Sequence, residues 1–155
     1  MADIDIQFKI EGLDGVIDRI SRLQDRFQKS SVRKAARRAM NLVRDSARAK
    51  VSRIDDPATA AEIWKNIITQ ESRRGRQQGG IMMRVGVRGG SITRKGFKRT
   101  SGGPGGITVH WRHVELGNER TRAQPFMRPA LAENTGAVTD TMVEELKLEL
   151  DKRGV

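Results

Sequence analysis

From residue 3 to residue 11 the chain reads DIDIQFKIE, and apolar and polar positions alternate without a break. Ile4, Ile6, Phe8 and Ile10 fall on one side; Asp3, Asp5, Gln7, Lys9 and Glu11 fall on the other. That is the period of a half-buried strand, ended by Gly12. The period then lengthens. Leu13, Val16, Ile17, Ile20, Leu23 and Phe27 recur at helical spacing and predict a helix over 13–28, with Asp14 and Asp18 near its positive end. SSVRKAARRAMNLVRDSARAKVSR, residues 30–53, predicts a second helix with Ser30 or Ser31 as its cap. Its buried stripe is Val32, Ala35, Ala36, Ala39, Leu42, Val43 and Ala47, small enough for close approach of another helix or a sheet.

Asp56 before Pro57 has the order of a cap and a first helical turn, and Trp64 is the expected anchor of the short helix that follows. Residues 66–73 then read as a strand or as a continuation of that helix, with Ile67, Ile68 and Thr69 leaning towards the strand. GIMMRVGVRGG alternates again, with Ile81, Met83, Val85 and Val87 on one face and Met82, Arg84, Gly86 and Arg88 on the other. ITVHWRHVELG, with Ile107, Val109 and Trp111 on one face, predicts its hairpin partner. Residues 89–106 between them hold seven glycines and four bases. They bury too little apolar surface to offset ordering, which predicts a mobile tip in the free subunit. A last helix is expected from about Pro125 to Arg153, with Val138, Met142, Leu146 and Leu150 as its stripe and Gly154 as its C-cap. Gly136 leaves one helix or two open. The order is that of a single α+β domain over 1–155. It has an N-terminal strand, two helices, an antiparallel sheet with a long basic loop, and a long C-terminal helix packed on the sheet.

Composition narrows the function classes. The 155 residues suffice for one core, and the absence of cysteine excludes disulfides and thiolate metal sites. The first residues have neither the basic nor the apolar region of a secretory signal, and no apolar run is long enough to span a membrane, so cytoplasmic synthesis is expected. With 30 Lys and Arg against 19 Asp and Glu the net charge is +11, which points to an acidic partner. The charge is polarised: residues 73–114 hold ten bases and no acid, while the last 23 hold six acids against three bases. Residues 30–53 hold eight bases and one acid, so that helix needs either open solvent or an acidic neighbour. Four Phe, two Trp and no Tyr disfavour a base-stacking platform for single strands.

Candidate chemistry is sparse. His110 and His113 would point to opposite faces of the predicted strand, so no metal is assigned to them. None of the serines sits in a nucleophile-elbow context, and GGSITRKG lacks the order of a phosphate loop. The acids are scattered rather than clustered for magnesium. No catalytic residue, cofactor or metal is assigned, and a non-enzymatic protein is expected. Arg88, Arg94, Lys95, Lys98 and Arg99, with Phe97 among them, are suited to DNA or to an acidic protein partner.

GNERTRAQPFMRPALAEN, residues 117–134, fixes the approach to the last helix. Pro125 supplies the φ of a helix start, Gln124 before it is pushed extended, and Pro129 is tolerable in the first turn. Phe126 and Leu131 are expected to plug into the core. That leaves Arg120, Thr121 and Arg122 on a stiff, exposed elbow.

Val114, Glu115, Gly117, Ala123, Gln124, Pro125, Phe126, Met127, Arg128, Pro129, Ala130 and Leu131 resemble a run found in the tail-completion or head–tail connector family of long-tailed phages, the lambdoid gene-product-ten type. Asn118 stands where that family usually has Thr. FKIEGLDGVIDRISRL and VRKAARRAMNLVRDSARAKV are similar to the family's opening strand, turn and first two helices, whereas residues 55–106 depart from it. The resemblance implies a structural virion protein at the neck, synthesised in the host cytoplasm. It would form a homo-oligomeric ring, expected to be sixfold, beside connector, terminator and tail-tube proteins. Glu115, Arg120, Arg122, Gln124, Pro125, Phe126, Arg128 and Pro129 would make inter-subunit contacts. The loop cations would meet DNA in the channel or an acidic partner ring. A tail terminator capping the tube is the alternative within this class; a sequence-independent nucleic-acid-binding module is the alternative outside it.

Overall fold

The computed structural model describes residues 13–21, 25–55, 58, 61–92, 99–100 and 103–154. The alternating segment 3–11, the turn at Asp56 and Pro57, and Arg94, Lys95, Phe97 and Lys98 lie outside the described residues.

Two long helices make the frame, α2 (Asp25–Val51) and α6 (Met127–Asp151). Every fourth residue of α2 from position 31 is buried: Ser31, Ala35, Ala39, Val43, Ala47 and Val51. α6 meets this row with Ala130, Val138, Met142, Leu146 and Leu150, also spaced by multiples of four. Such rows are the ridges by which helices interlock, and methyl-sized side chains let the two backbones approach closely. The helices run antiparallel, as the ion pairs along the seam require: Lys34 to Glu149 at 2.6 Å, Arg38 to Glu145, and Lys50 to Glu133 at 2.7 Å. Five of the cations on α2, Arg33, Lys34, Arg38, Arg44 and Lys50, therefore have an acidic neighbour within the same chain. Part-exposed pairs of this kind contribute at most about 1 kcal/mol each, so they set register more than stability.

Helix boundaries differ from the periodicity. The apolar positions over 13–28 divide between α1 (Leu13–Ser21) and the start of α2. Ser30 and Ser31 consequently lie inside α2 and cap nothing; the Ser31 hydroxyl is buried without a hydrogen-bond partner. With only two turns, α1 turns one stripe inward, where Val16 meets Ala35, Leu146 and Leu150. Ile17, about 100° further round, is 51% exposed, and Phe27 lies beneath the Arg153 guanidinium at 5.1 Å. α6 is one continuous helix through Gly136, and Gly154 just beyond it takes a φ of 71°.

α3 (Ile63–Asn66) runs directly into β1 (Ile67–Glu71), which pairs antiparallel with β2 (Met83–Val87) through α4 (Arg73–Gln77). Ile67 lies opposite Val87, and Glu71 opposite Met83. Ile67, Val85 and Val87 share a core with Val43, Ala47, Val51 and Ile63 of the helices beneath. Phe126 and Ala130 close that core, so the first turn of α6 rests on the sheet side and the rest of the helix on α2. Arg33 bonds Glu71 at 3.0 Å and Arg48 donates to the Ile67 carbonyl at 2.7 Å, tying both ends of β1 to α2. The fold is α+β, as the order of elements predicts.

The partner of β2 differs from the expectation. ITVHWRHVELG is not a strand: residues Trp111–Leu116 form helix α5. The alternation of Ile107, Val109 and Trp111 is overridden because Trp111, Val114 and Glu115 follow helical spacing, and all three turn inward. The backbone of Thr108 is also committed, donating to the Gly89 carbonyl and accepting from Trp111 N–H. His113 consequently lies in this short helix and His110 just before it, rather than on opposite faces of a strand.

The described residues of the loop 89–106 include regular structure. It carries the two-residue strands β3 (Ser91–Ile92) and β4 (Arg99–Thr100), paired with each other. Its last part is held by a buried amide. Asn66 Nδ2 donates to the Gly106 carbonyl at 2.9 Å and to Thr108 Oγ1 at 2.8 Å, while Asn66 Oδ1 accepts from Gly105 N–H at 2.8 Å. A Cβ on Gly105 would lie 2.0 Å from the Glu62 carbonyl oxygen, so glycine is required there by contact. Over residues 103–106 polar bonds supply what apolar burial does not. No helix among the described residues is long and apolar enough to cross a membrane.

Candidate functional site

The stretch between α5 and α6 is a joint braced from inside. Glu115, only 4% exposed, points its carboxylate at the start of α6. Oε2 accepts from the N–H of Phe126 at 2.7 Å and of Met127 at 2.9 Å; Oε1 accepts from the N–H of Arg128 at 3.1 Å and from its Nε at 3.3 Å. The first amides of a helix have no partners inside it and form its positive end, so one carboxylate both bonds them and complements the dipole. Burial alone would raise the Glu115 pKa, but the bonds from Met127, Phe126 and Arg128 outweigh it and hold the carboxyl below its ordinary value.

The loop leading out of α5 is closed on itself. Gly117 turns with φ 74°, and a Cβ there would sit 2.8 Å from the Ala123 nitrogen, so both conformation and contact demand glycine. Asn118 Oδ1 accepts from the N–H groups of Arg120 at 2.9 Å and Thr121 at 2.7 Å, an Asx turn that this side chain makes readily. Gln124 N–H donates to the Val114 carbonyl at 2.7 Å. Pro125 stands just before the helix and Pro129 in its first turn, where neither removes a needed donor.

The residues assigned to this joint from sequence separate into two sets. Glu115 and Phe126 are buried and spend their side chains holding the joint together. Arg120, Arg122, Gln124, Pro125 and Arg128 are exposed, with Pro129 half-buried. Leu131 does not plug into the core: it is 52% exposed, because the core-facing residue of that turn is Ala130. Leu116, on the other side of the joint, is 65% exposed. Sequence reasoning missed both leucines as surface features, and it missed Asn66, although a lone amide among the apolar residues of WKNIIT was a signal for it.

A second region carries uncompensated charge. The outward face of the β1–β2 sheet presents Ile68, Gln70, Arg84, Gly86 and Arg88, and with Trp111 it forms a groove of about 400 Å³. Arg88 is exposed there, while Arg99 lies in β4. Among the described residues no group of three His, Cys, Asp or Glu is placed to hold a metal ion, His110, His113 and Glu115 included. Compared with known proteins, the chain matches no family model, no curated protein and no solved structure.

Proposed function

We propose that the chain is a structural, non-enzymatic subunit at the neck of a long-tailed phage. It acts in tail completion and head–tail joining by associating with copies of itself in a closed, sixfold ring. The observation that carries this is the character of the joint: it is rigid from within and unsatisfied without. Its backbone is pinned by Glu115, Asn118 and Gln124, so exposed groups upon it are held in place before any partner arrives. The exposed groups of the joint include Leu116, Leu131, Arg120 and Arg122, a mixture of large apolar side chains and arginine that protein interfaces favour. A preset surface loses little freedom on association, which favours repeated identical contacts around a ring. The likeness of residues 114–131 to the tail-completion signature supports the same reading. The pairing of α2 cations with α6 acids removes those charges from account, so the ring contact rests on the joint and not on charge polarity between the chain's two halves.

A map of the neck in an intact particle tests the proposal. The joint should lie against an adjacent copy, and an Arg122→Glu/Leu131→Asp chain that still melts like the parent should fail to give infectious particles. A joint facing open solvent, or normal particles from that double variant, overturns it. Arg128→Glu is a poorer probe, since it would set a second carboxylate against Glu115 and disturb the subunit itself.

A further inference from the structure

We infer that the outward face of the β1–β2 sheet, together with α4, is a binding surface for the phosphodiester backbone of duplex DNA. It is distinct from the joint, and the inference stands whether or not the ring proposal does. Among the described residues, a group of cations on α2 is paired and a group over residues 73–112 is not. On α2, Arg33, Lys34, Arg38, Arg44 and Lys50 each meet a carboxylate. By contrast Arg73, Arg74, Arg76, Arg84, Arg88 and Arg112 are all exposed, and none forms an ion pair among the described residues. No acid occurs anywhere in residues 73–114 to compensate them.

These arginines are gathered by the fold. Arg84 and Arg88 alternate to the outer face of β2, flanking Gly86 and facing Gln70 and Trp111 across the groove. Turned so that both amide atoms are satisfied, Gln70 accepts from Arg84 Nε at 2.9 Å and orients the guanidinium without neutralising it. α4 is folded against Met82, whose position in the alternation is that of Arg84 and Arg88: a Cβ on Gly75 would come within 2.6 Å of Met82 Cβ. Arg73 and Arg76 line a second, open depression there with Gln77.

The chemistry of the face selects the partner. Protein interfaces have an apolar centre. Here, of the large apolar side chains left exposed, only Met82 is present; Ile68 and Trp111 are half-buried in the groove, and the exposed positions around them are arginine and glutamine. Exposed guanidiniums amid polar amides, the one on Arg84 oriented by Gln70, with glycines that admit close approach, suit phosphate oxygens. A single half-buried indole, Trp111, is no stacking platform, which favours a duplex over a single strand. Without a recognition helix, binding is sequence-blind.

The test is a salt titration of the full chain against fluorescent duplexes of two unrelated sequences. The parent should bind both alike, with the logarithm of affinity falling by about 0.9 per phosphate contact for each decade of salt. Arg84→Glu/Arg88→Glu should lower affinity at least about tenfold and reduce the salt slope by about 2. Arg26→Glu/Lys29→Glu, the same charge change on exposed positions at the start of α2, should lower it far less. If the reversed pair disturbs folding, Arg84→Gln/Arg88→Gln should still flatten the slope. Equal losses from the two double variants would reduce the effect to net charge and overturn the assignment. So would no duplex binding near 50 mM salt, preference for a single strand, or displacement by polyglutamate as readily as by duplex.

Discussion

Replacing Glu115 tests the central claim about the joint, that one buried carboxylate starts the last helix. Glu115→Ala removes the acceptor of three backbone amides at once. The Phe126 residue is fully buried, so its N–H loses its partner with no water to replace it, at a cost of about 1–3 kcal/mol. Met127 and Arg128 are less enclosed, and their amides lose about 0.5–1 kcal/mol each. The missing charge at the helix N-terminus adds about 0.3–1 kcal/mol. The sum is about 4 kcal/mol, a large part of the roughly 5–15 kcal/mol that holds a domain together. Glu115→Gln keeps the shape and one acceptor but sets an NH2 group against a backbone donor, and should cost about 2 kcal/mol. Urea unfolding followed by circular dichroism at pH 7 measures both. The charge makes a further demand. The folded carboxyl titrates below its ordinary 4.5, so its stabilisation is present in full above that pH and is lost as pH falls through the lower, folded value. The gap between the parent and Glu115→Gln should therefore narrow on acidification below pH 4.5. A Gln variant as stable as the parent at pH 7, or a gap unchanged at pH 3, refutes the reasoning.

Other substitutions test other parts of the fold. Asn66→Ala strands the buried Gly105 N–H and releases the Gly106 carbonyl, so it should cost about 2–3 kcal/mol and speed amide exchange in residues 103–108; unchanged exchange there would deny Asn66 its anchoring role. Ala39→Leu forces a large side chain into the α2–α6 seam, where Ala39 is fully buried, and should lower stability by about 1–3 kcal/mol in the same urea assay; a neutral result would mean the helices are not closely apposed. Gly136→Ala, at an exposed position with open space around its would-be Cβ, should raise stability by about 0.5–1 kcal/mol, and a loss would reveal a neighbour at that position.

What the sequence by itself determined is what local periodicity records. The apolar stripe of α2 and the alternation of β2 follow from side chains spaced to share one face, and the α+β class follows from the order of elements; spacing left open whether 66–73 was strand or continued helix and whether the last segment was one helix or two, and packing decided for strand β1 and a single α6. Pro125, Gly117 and Pro129 likewise marked the joint, because their backbone limits are written into the residues. Tertiary structure decided what depends on partners distant in the chain. Glu115 caps a helix that begins twelve residues later, an interaction no local pattern encodes. Residues 107–116 alternate well enough for a strand, yet Trp111, Val114 and Glu115 gain more by turning inward together as a helix, and β1 takes the place beside β2. The basic face of α2 gave no sign of whether it met solvent, a neighbour or its own chain, since Glu133, Glu145 and Glu149 are brought to it only when the two long helices pack antiparallel. The uncompensated arginines on the sheet became visible only after that pairing was known, because a charge is left over only with respect to the contacts the fold has already made.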